Sequence, residues 1–248
     1  MIQIKSQREI ELMRRANVLT ALTHEYLAGL IQPGIMTKEL DEAAEEFIRS
    51  RGGIPAFKGY GGFPGSVCIS VNDEVVHGIP GARALVEGDI VSLDTGAIIE
   101  GYYGDAARTH GVGTIDAEAN RLIEVTRQSF FEGIKFAKVG NRLSDISHAI
   151  QAYVEARGFS VVRDYVGHGI GRELHEDPQI PNYGPAGRGP RLQKGMVLAI
   201  EPMINEGRFT VRVLPNHWTV VTMDGKRSAH YENTVAITDG EPDILSMR

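Results

Sequence analysis

Apolar positions along the chain change their spacing several times, and each change marks an element. Ser6-Gln7-Arg8-Glu9 has the form of a capping box, in which Ser6 accepts from a free backbone N–H and Glu9 reaches back. The stretch behind it, rich in Leu, Ala and Arg, is predicted helical until Pro33-Gly34 stops it. Leu40, Ala43, Ala44, Phe47 and Ile48 fall at i, i+3, i+4, i+7 and i+8, the stripe of a second helix that starts near Thr37. The cation and glycines of Arg51-Gly52-Gly53 close that helix. A Gly-rich segment, Lys58 to Gly65, is too irregular for helix or strand. Ser66 to Val71 reads as a strand, as do Asp89 to Leu93 and Ala97 to Ile99, with Glu100-Gly101 a tight turn into Tyr102-Tyr103. Helices fit 117–138 and 143–157. A Gly/Pro-rich stretch at 167–190 follows, and then strands near 196–201, 210–213, 218–222 and 230–237.

The halves of this pattern correspond. A shift of 106 lays Gly34, Leu40, Ala43, Phe47, Ile48, Arg51 and Gly52 over Gly140, Ile146, Ala149, Tyr153, Val154, Arg157 and Gly158. A shift of 107 lays Gly88-Asp89-Ile90-Val91-Ser92-Leu93-Asp94 over Gly195-Met196-Val197-Leu198-Ala199-Ile200-Glu201. Two matches at nearly one offset, in the same helix-then-strand order, predict an internal duplication of one α+β unit, roughly 34–110 and 140–237, within a single domain of residues 1–248. Asp94 and Glu201 then close corresponding apolar strands. Burying two like charges side by side is costly unless a cation lies between them, so the pattern predicts a metal site at the centre.

Composition narrows the class. The chain has 248 residues, 42% hydrophobic and 23% charged, as globular proteins do. A net charge of −6 argues against nucleic acid as a partner. The single cysteine, Cys68, excludes an internal disulfide and a Cys-only metal site, and suits a reducing cytosol. The amino terminus lacks the apolar stretch of a signal peptide, and no apolar run approaches the ~18 residues of a membrane span. The expectation is a cytoplasmic protein without membrane contact.

Asp105 lies just past the turn that follows the Asp94 strand, and Glu232 takes the matching place in the second half. His168 stands between glycines in Gly167-His168-Gly169-Ile170-Gly171, a run that lacks the G-x-G-x-x-G spacing of a dinucleotide loop. Any one acid after a strand is usually a turn residue or a cap; five donors at corresponding positions point to metal. Four carboxylates and one imidazole can hold two divalent ions if two carboxylates bridge, and the oxygen-rich set favours Mn²⁺, Fe²⁺ or Co²⁺ over structural Zn²⁺. Two ions about 3.5–4 Å apart can share a water, lower its pKa and steady a tetrahedral intermediate. His24, His110, His148, His217 and His230 carry no such context and read as surface or packing residues.

Val76-His77-Gly78-Ile79-Pro80, Ser92-Leu93-Asp94, Gly104-Asp105, Gly167-His168-Gly169-Ile170-Gly171, His175-Glu176-Asp177-Pro178, Ile200-Glu201-Pro202-Met203 and Tyr231-Glu232-Asn233-Thr234 together resemble the type I methionine aminopeptidases of peptidase family M24, in order and over essentially the whole chain. The resemblance implies a pita-bread fold, α+β, with two pseudo-twofold-related halves around a curved antiparallel sheet. It implies that Asp94, Asp105, His168, Glu201 and Glu232 bind two ions (cobalt, manganese or iron, with zinc and nickel as further options), Asp105 and Glu232 bridging. His77 and His175 would act beside the scissile peptide, where a histidine donor steadies the oxyanion or leaving amine. Glu201 would be the general base. A methionine side chain would lie among Tyr60, Phe63, Cys68 and Trp218, since thioether sulfur packs well on aromatic rings. The chain departs from the common pattern at Leu174, where an aromatic usually precedes the catalytic histidine, and at Phe63, often a tyrosine. The zinc-binding extension of some eukaryotic members and the helical insert of type II enzymes are missing, which favours the short bacterial-type form.

The implied activity is removal of the initiator methionine from nascent polypeptides with a small second residue, by a monomer in transient contact with the ribosome. Two alternatives stand beside it. A prolidase or aminopeptidase P would share the fold but usually adds an amino-terminal domain. A non-catalytic pita-bread binding protein would be expected to lack a ligand, and all five are present.

Overall fold

Four α-helices, a central nine-stranded sheet and two three-stranded sheets make up the described residues, 1–247, of the computed structural model. Helix α1 (Gln7–Ala28) begins at the expected capping box, with Ser6 N–H donating to the Glu9 carboxylate at 2.8 Å. It ends at Ala28, ahead of Pro33-Gly34, because Gly29 turns its N–H back to Leu27. In α2 (Thr37–Ser50) the Glu39 carboxylate accepts from Met36 N–H at 2.8 Å, and Gly52 at φ 77° closes the far end. Helix α3 (Ala117–Ile134) is capped by Asp116 and stops short of 138, since Phe136 and Ala137 take tighter three-residue bonds to Gly133 and Ile134. Helix α4 (Leu143–Glu155) stops short of 157 at the left-handed Gly158, φ 82°. No helix among the described residues is long and apolar enough to cross a membrane.

The nine-stranded sheet runs in the order Ile54–Pro55, Ile90–Ile99, Tyr102–Gly111, Glu232–Ala236, Val197–Ile200, Gly167–Gly169, Glu176–Ile180, with Val67–Val71 also on Ile90–Ile99 and Asp243–Ile244 on Glu232–Ala236. Ile90–Ile99 is one strand where the sequence suggested two pieces. Asp94, Thr95 and Gly96 interrupt the apolar run, yet each is paired with a residue of Tyr102–Gly111, so the ladder carries straight through them. Glu100 and Gly101, at φ 50° and 78°, form the tight turn that joins the two long strands. The expected 230–237 strand divides at Tyr231: Ser228–His230 joins a small sheet with Met203–Asn205, while Glu232–Ala236 enters the central one. The Gly/Pro-rich 167–190 stretch contains the strands Gly167–Gly169 and Glu176–Ile180. There a Cβ on Gly167 would lie 2.3 Å from Ala199 O, so only glycine lets the neighbouring strand approach.

Alternation sorts side chains between the two faces of this sheet. Val67, Ile69, Val91 and Leu93 pack with Leu40 and Ala44 of α2, and Leu198, Ile200 and Val235 pack in the same cluster as α3 and α4 residues. The intervening residues face the other way. Helix α1 crosses close to Tyr102–Gly111: a Cβ on Gly104 would stand 2.6 Å from Asn17 N, and Asn17 Oδ1 accepts from Asp105 N–H at 3.3 Å.

The contact at Gly104 yields the first prediction. Gly104→Ala overpacks the helix against the strand and lowers stability by about 1–3 kcal/mol, measured by urea unfolding. An unchanged midpoint would show that α1 is free to move away.

Candidate metal centre and side-chain pocket

Strand pairing places the acids before any side-chain rotamer is considered. Asp94 opposes Ala107, and Ala107 opposes Glu232, so all three point to one face. Asp105, two residues before Ala107, shares that face. His168 opposes Ala199, two residues before Glu201, and Asn233 opposes Ile200, which sets Glu232 and Glu201 together one step further on. Ala107 contributes only a methyl group between Asp94 and Glu232, which leaves room above it.

Ligand atoms of Asp105, His168 and Glu232 lie within 4.8 Å of one another. Glu201 Oε1 is 3.6 Å and Asp105 Oδ2 3.8 Å from His168 Nε2. Asp94 faces the same cavity. The structure thus brings all five predicted donors to one place, with Asp105, His168 and Glu232 closest together. Burial pushes Asp94 up to about 7, and Glu201 adds to the rise by repulsion. Asp105, Glu201 and Glu232 are driven well above the usual carboxylate range, first by burial; the neighbouring acids add to the rise at Asp105 and Glu232. Asp94 Oδ1, Asp105 Oδ1 and Glu232 Oε1 are buried without a hydrogen-bond partner. Orphaned oxygens of this kind fit divalent cations, which would satisfy them and oppose the shared negative charge.

His168 is suited to the same task. Burial lowers its pKa to about 3, so the ring is neutral near pH 7. Its Nδ1 lies 2.9 Å from Gly169 O, and a carbonyl only accepts, so Nδ1 carries the proton and the Nε2 lone pair faces the acids.

The cavity has a volume of about 210 Å³ and continues from the acids into an apolar slot. Tyr60, Phe63, Cys68 and Trp218 line it as expected, with Phe63 and Trp218 edge to face at 5.2 Å. Burial beside the acids raises the Cys68 thiol well above its usual value, so it stays protonated and serves as a packing group. Leu174 is also on the wall. So is Phe57, which the sequence reading did not single out; its one signal was its place just ahead of the Gly-rich loop.

His77 and His175 flank the mouth. His77 takes φ 59°, an uncommon backbone state for a non-glycine, and such strain of about 1–3 kcal/mol is typical of working sites. Burial lowers its pKa to about 4. The His175 ring lies 4.3 Å from that of His168, and its Nδ1 is 2.8 Å from the Tyr60 hydroxyl. Burial raises the pKa of Tyr60 and lowers that of His175, so a protonated phenol meets a neutral ring, and the tautomer in which the hydroxyl donates to Nδ1 leaves Nε2–H as a donor. Of the histidines read as surface or packing residues, two are packed inside. His24 and His230 are buried, and His230 Nε2 stands 3.5 Å from Glu201 Oε2 with no hydrogen-bond partner. The sequence held no spacing that pointed to His230.

The raised carboxyl pKa values fix the sign of a pH dependence. Cations compete with protons on the acids, while His168 is already neutral, so affinity rises with pH through about 7. Calorimetric titration of Mn²⁺ into chelated protein should show tighter binding and less proton release at pH 8 than at pH 6. Equal affinity at both values would contradict a protonated cluster.

Comparison with known proteins places this geometry. The model of metallopeptidase family M24 matches residues 11–239. Methionine aminopeptidase 1 of Bacillus subtilis is 59% identical, with 99% of each chain covered, and methionine aminopeptidase of Clostridium acetobutylicum is 58% identical over 100% of this chain and 99% of its own. The crystal structure of methionine aminopeptidase from Thermotoga maritima superposes with a TM-score of 0.98 at 49% identity, covering 100% of both chains. A prolidase from Pyrococcus furiosus shares the fold at 23% identity, with a TM-score of 0.81 over 99% of this chain and 65% of its own.

Proposed function

This chain belongs to metallopeptidase family M24, and from that premise we propose that it removes the amino-terminal methionine from polypeptide chains. One observation carries the reading. A cluster of acids and a neutral imidazole opens directly into a slot lined by aromatic rings and a thiol, sized for a single side chain. Such a slot beside the reacting groups favours an exopeptidase that recognises one residue by its apolar side chain. Tyr60, Phe63, Cys68 and Trp218, with Phe57, hold the methionine thioether.

Asp94, Asp105, His168, Glu201 and Glu232 hold divalent ions, of which manganese, iron and cobalt suit the oxygen-rich donors best. When bound, the ions supply Lewis acidity and a water activated at neutral pH. The protein's own groups do the rest. Glu201, at the end of its strand among the other acids, takes the proton of the attacking water. Nε2–H of His175, set by Tyr60, and the neutral ring of His77 donate hydrogen bonds to the peptide oxygen as negative charge grows there, and the proton held by Glu201 passes to the leaving amine. The favoured substrates carry a small second residue. The substrates are peptides and nascent chains, met in the cytoplasm by a monomer in brief contact with the ribosome.

Two experiments test the reading. Chelated and Co²⁺- or Mn²⁺-reconstituted protein is offered Met-Ala-Ser, Leu-Ala-Ser and Ala-Pro-Ser. The expected result is metal-dependent release of Met alone; cleavage before proline would move the activity to the prolidase branch, and activity after verified metal removal would end the scheme. His77→Ala and His175→Ala should each lower kcat by roughly 10²-fold or more with metal stoichiometry unchanged. Loss of metal in either variant would mean that a ligand had been taken for a proton donor.

A further inference from the structure

Glu176 follows His175 directly and has no part in the chemistry above, yet it is withdrawn from water and paired with the ammonium group of Lys5; the side chains of Glu176 and Lys5 are 10% and 6% exposed. Its second carboxylate oxygen, Oε1, accepts from Arg172 N–H at 3.0 Å and Glu173 N–H at 3.4 Å. One carboxylate therefore closes the turn from Gly171 to Glu176, which carries His175. Lys5 is fixed in its own right: its N–H donates to Gly195 O at 2.7 Å, and its neighbour Ser6 caps α1. Gly171 is pressed against the pair, since a Cβ on it would stand 2.5 Å from Glu176 Oε1 and 2.6 Å from Lys5 Cε. On the other side, Tyr103 N–H donates to Gly171 O at 2.9 Å.

We propose that the Lys5–Glu176 ion pair is a positioning device that holds the His175 ring beside His168, making Lys5 and Glu176 positioning residues for the cleavage; the catalytic consequence rests on the reading of His175 given above. A buried ion pair adds little stability over apolar residues of the same volume, so its use here is to define geometry. The Tyr60 hydroxyl and the His168 ring meet the His175 side chain from the cavity side, and the turn that carries it is left to the ion pair to fix. The pair ties that turn to the residue just ahead of the α1 cap, and α1 also contacts Asp105 through Asn17. One rigid element thereby sets both an acid of the cluster and the proton donor at the mouth.

The test uses the full chain with Lys5→Met, Glu176→Gln and, as a neighbouring control, Asp177→Asn. In Mn²⁺-loaded protein, Lys5→Met should lose kcat by roughly 10²-fold, the cost of about 1 Å of misplacement, while KM moves far less and metal stoichiometry stays as in the parent. In chelated protein, the imidazole ¹⁵N resonances of His175 should shift or broaden in Lys5→Met and stay in place in Asp177→Asn. A folded Lys5→Met protein with parental kcat and parental His175 resonances would overturn the proposal. If Lys5→Met does not fold, Glu176→Gln carries the same readouts, because its amide oxygen still accepts from Arg172 and Glu173. Parental turnover by His175→Ala would remove the catalytic role of His175, whereas displaced His175 resonances in Lys5→Met would still support the positioning.

Discussion

Four carboxyl groups crowded on one face of a sheet are the constraint around which the rest of the molecule is arranged. With burial and mutual repulsion acting together, they cannot all ionise on their own, and their pKa values are raised accordingly. Either protons or cations must relieve that repulsion. The surroundings are built to tolerate it: Ala107 gives room, His168 presents a neutral lone pair, and α1 is laid against Gly104 where no side chain intervenes. The apolar slot opens beside this centre, so a side chain lodged in it would bring its own peptide bond to the acids.

Much of this was legible in the chain because local rules wrote it. Capping boxes and apolar stripes marked the helices, and the correspondence of Asp94 with Glu201 pointed to a central cation site before any fold was considered. The errors have physical causes. Asp94, Thr95 and Gly96 look like a break in a strand, but a ladder partner at each position outweighs their low strand propensity. Gly167 and Gly169 look like a loop, yet close approach of the adjacent strand requires their lack of a side chain.

What stayed hidden depends on tertiary contact. Phe57 belongs to no motif and reaches the slot only through the fold. His230 adjoins a recognised motif, but its approach to Glu201 brings together residues far apart in the chain. The same holds for Lys5 and Glu176, which no periodicity connects.

The seam between the two long stretches of sheet is narrow. In the backbone ladder, among the described residues, only Ala106 and Ala107 pair with Asn233 and Glu232 to join Tyr102–Gly111 to Glu232–Ala236. Asp94 and Asp105 stand on one side of that seam, and Glu201, Glu232 and His168 on the other. A cation shared among them would act as a rivet as well as a reagent. Any slight spreading of the sheet would pull the donors apart, so the joint is braced beyond its ladder by Thr234 Oγ1 donating to Asp105 O at 2.9 Å and Arg108 Nη2 donating to Asn233 Oδ1 at 2.6 Å, and its stiffness sets how faithfully the centre keeps its shape from one turnover to the next.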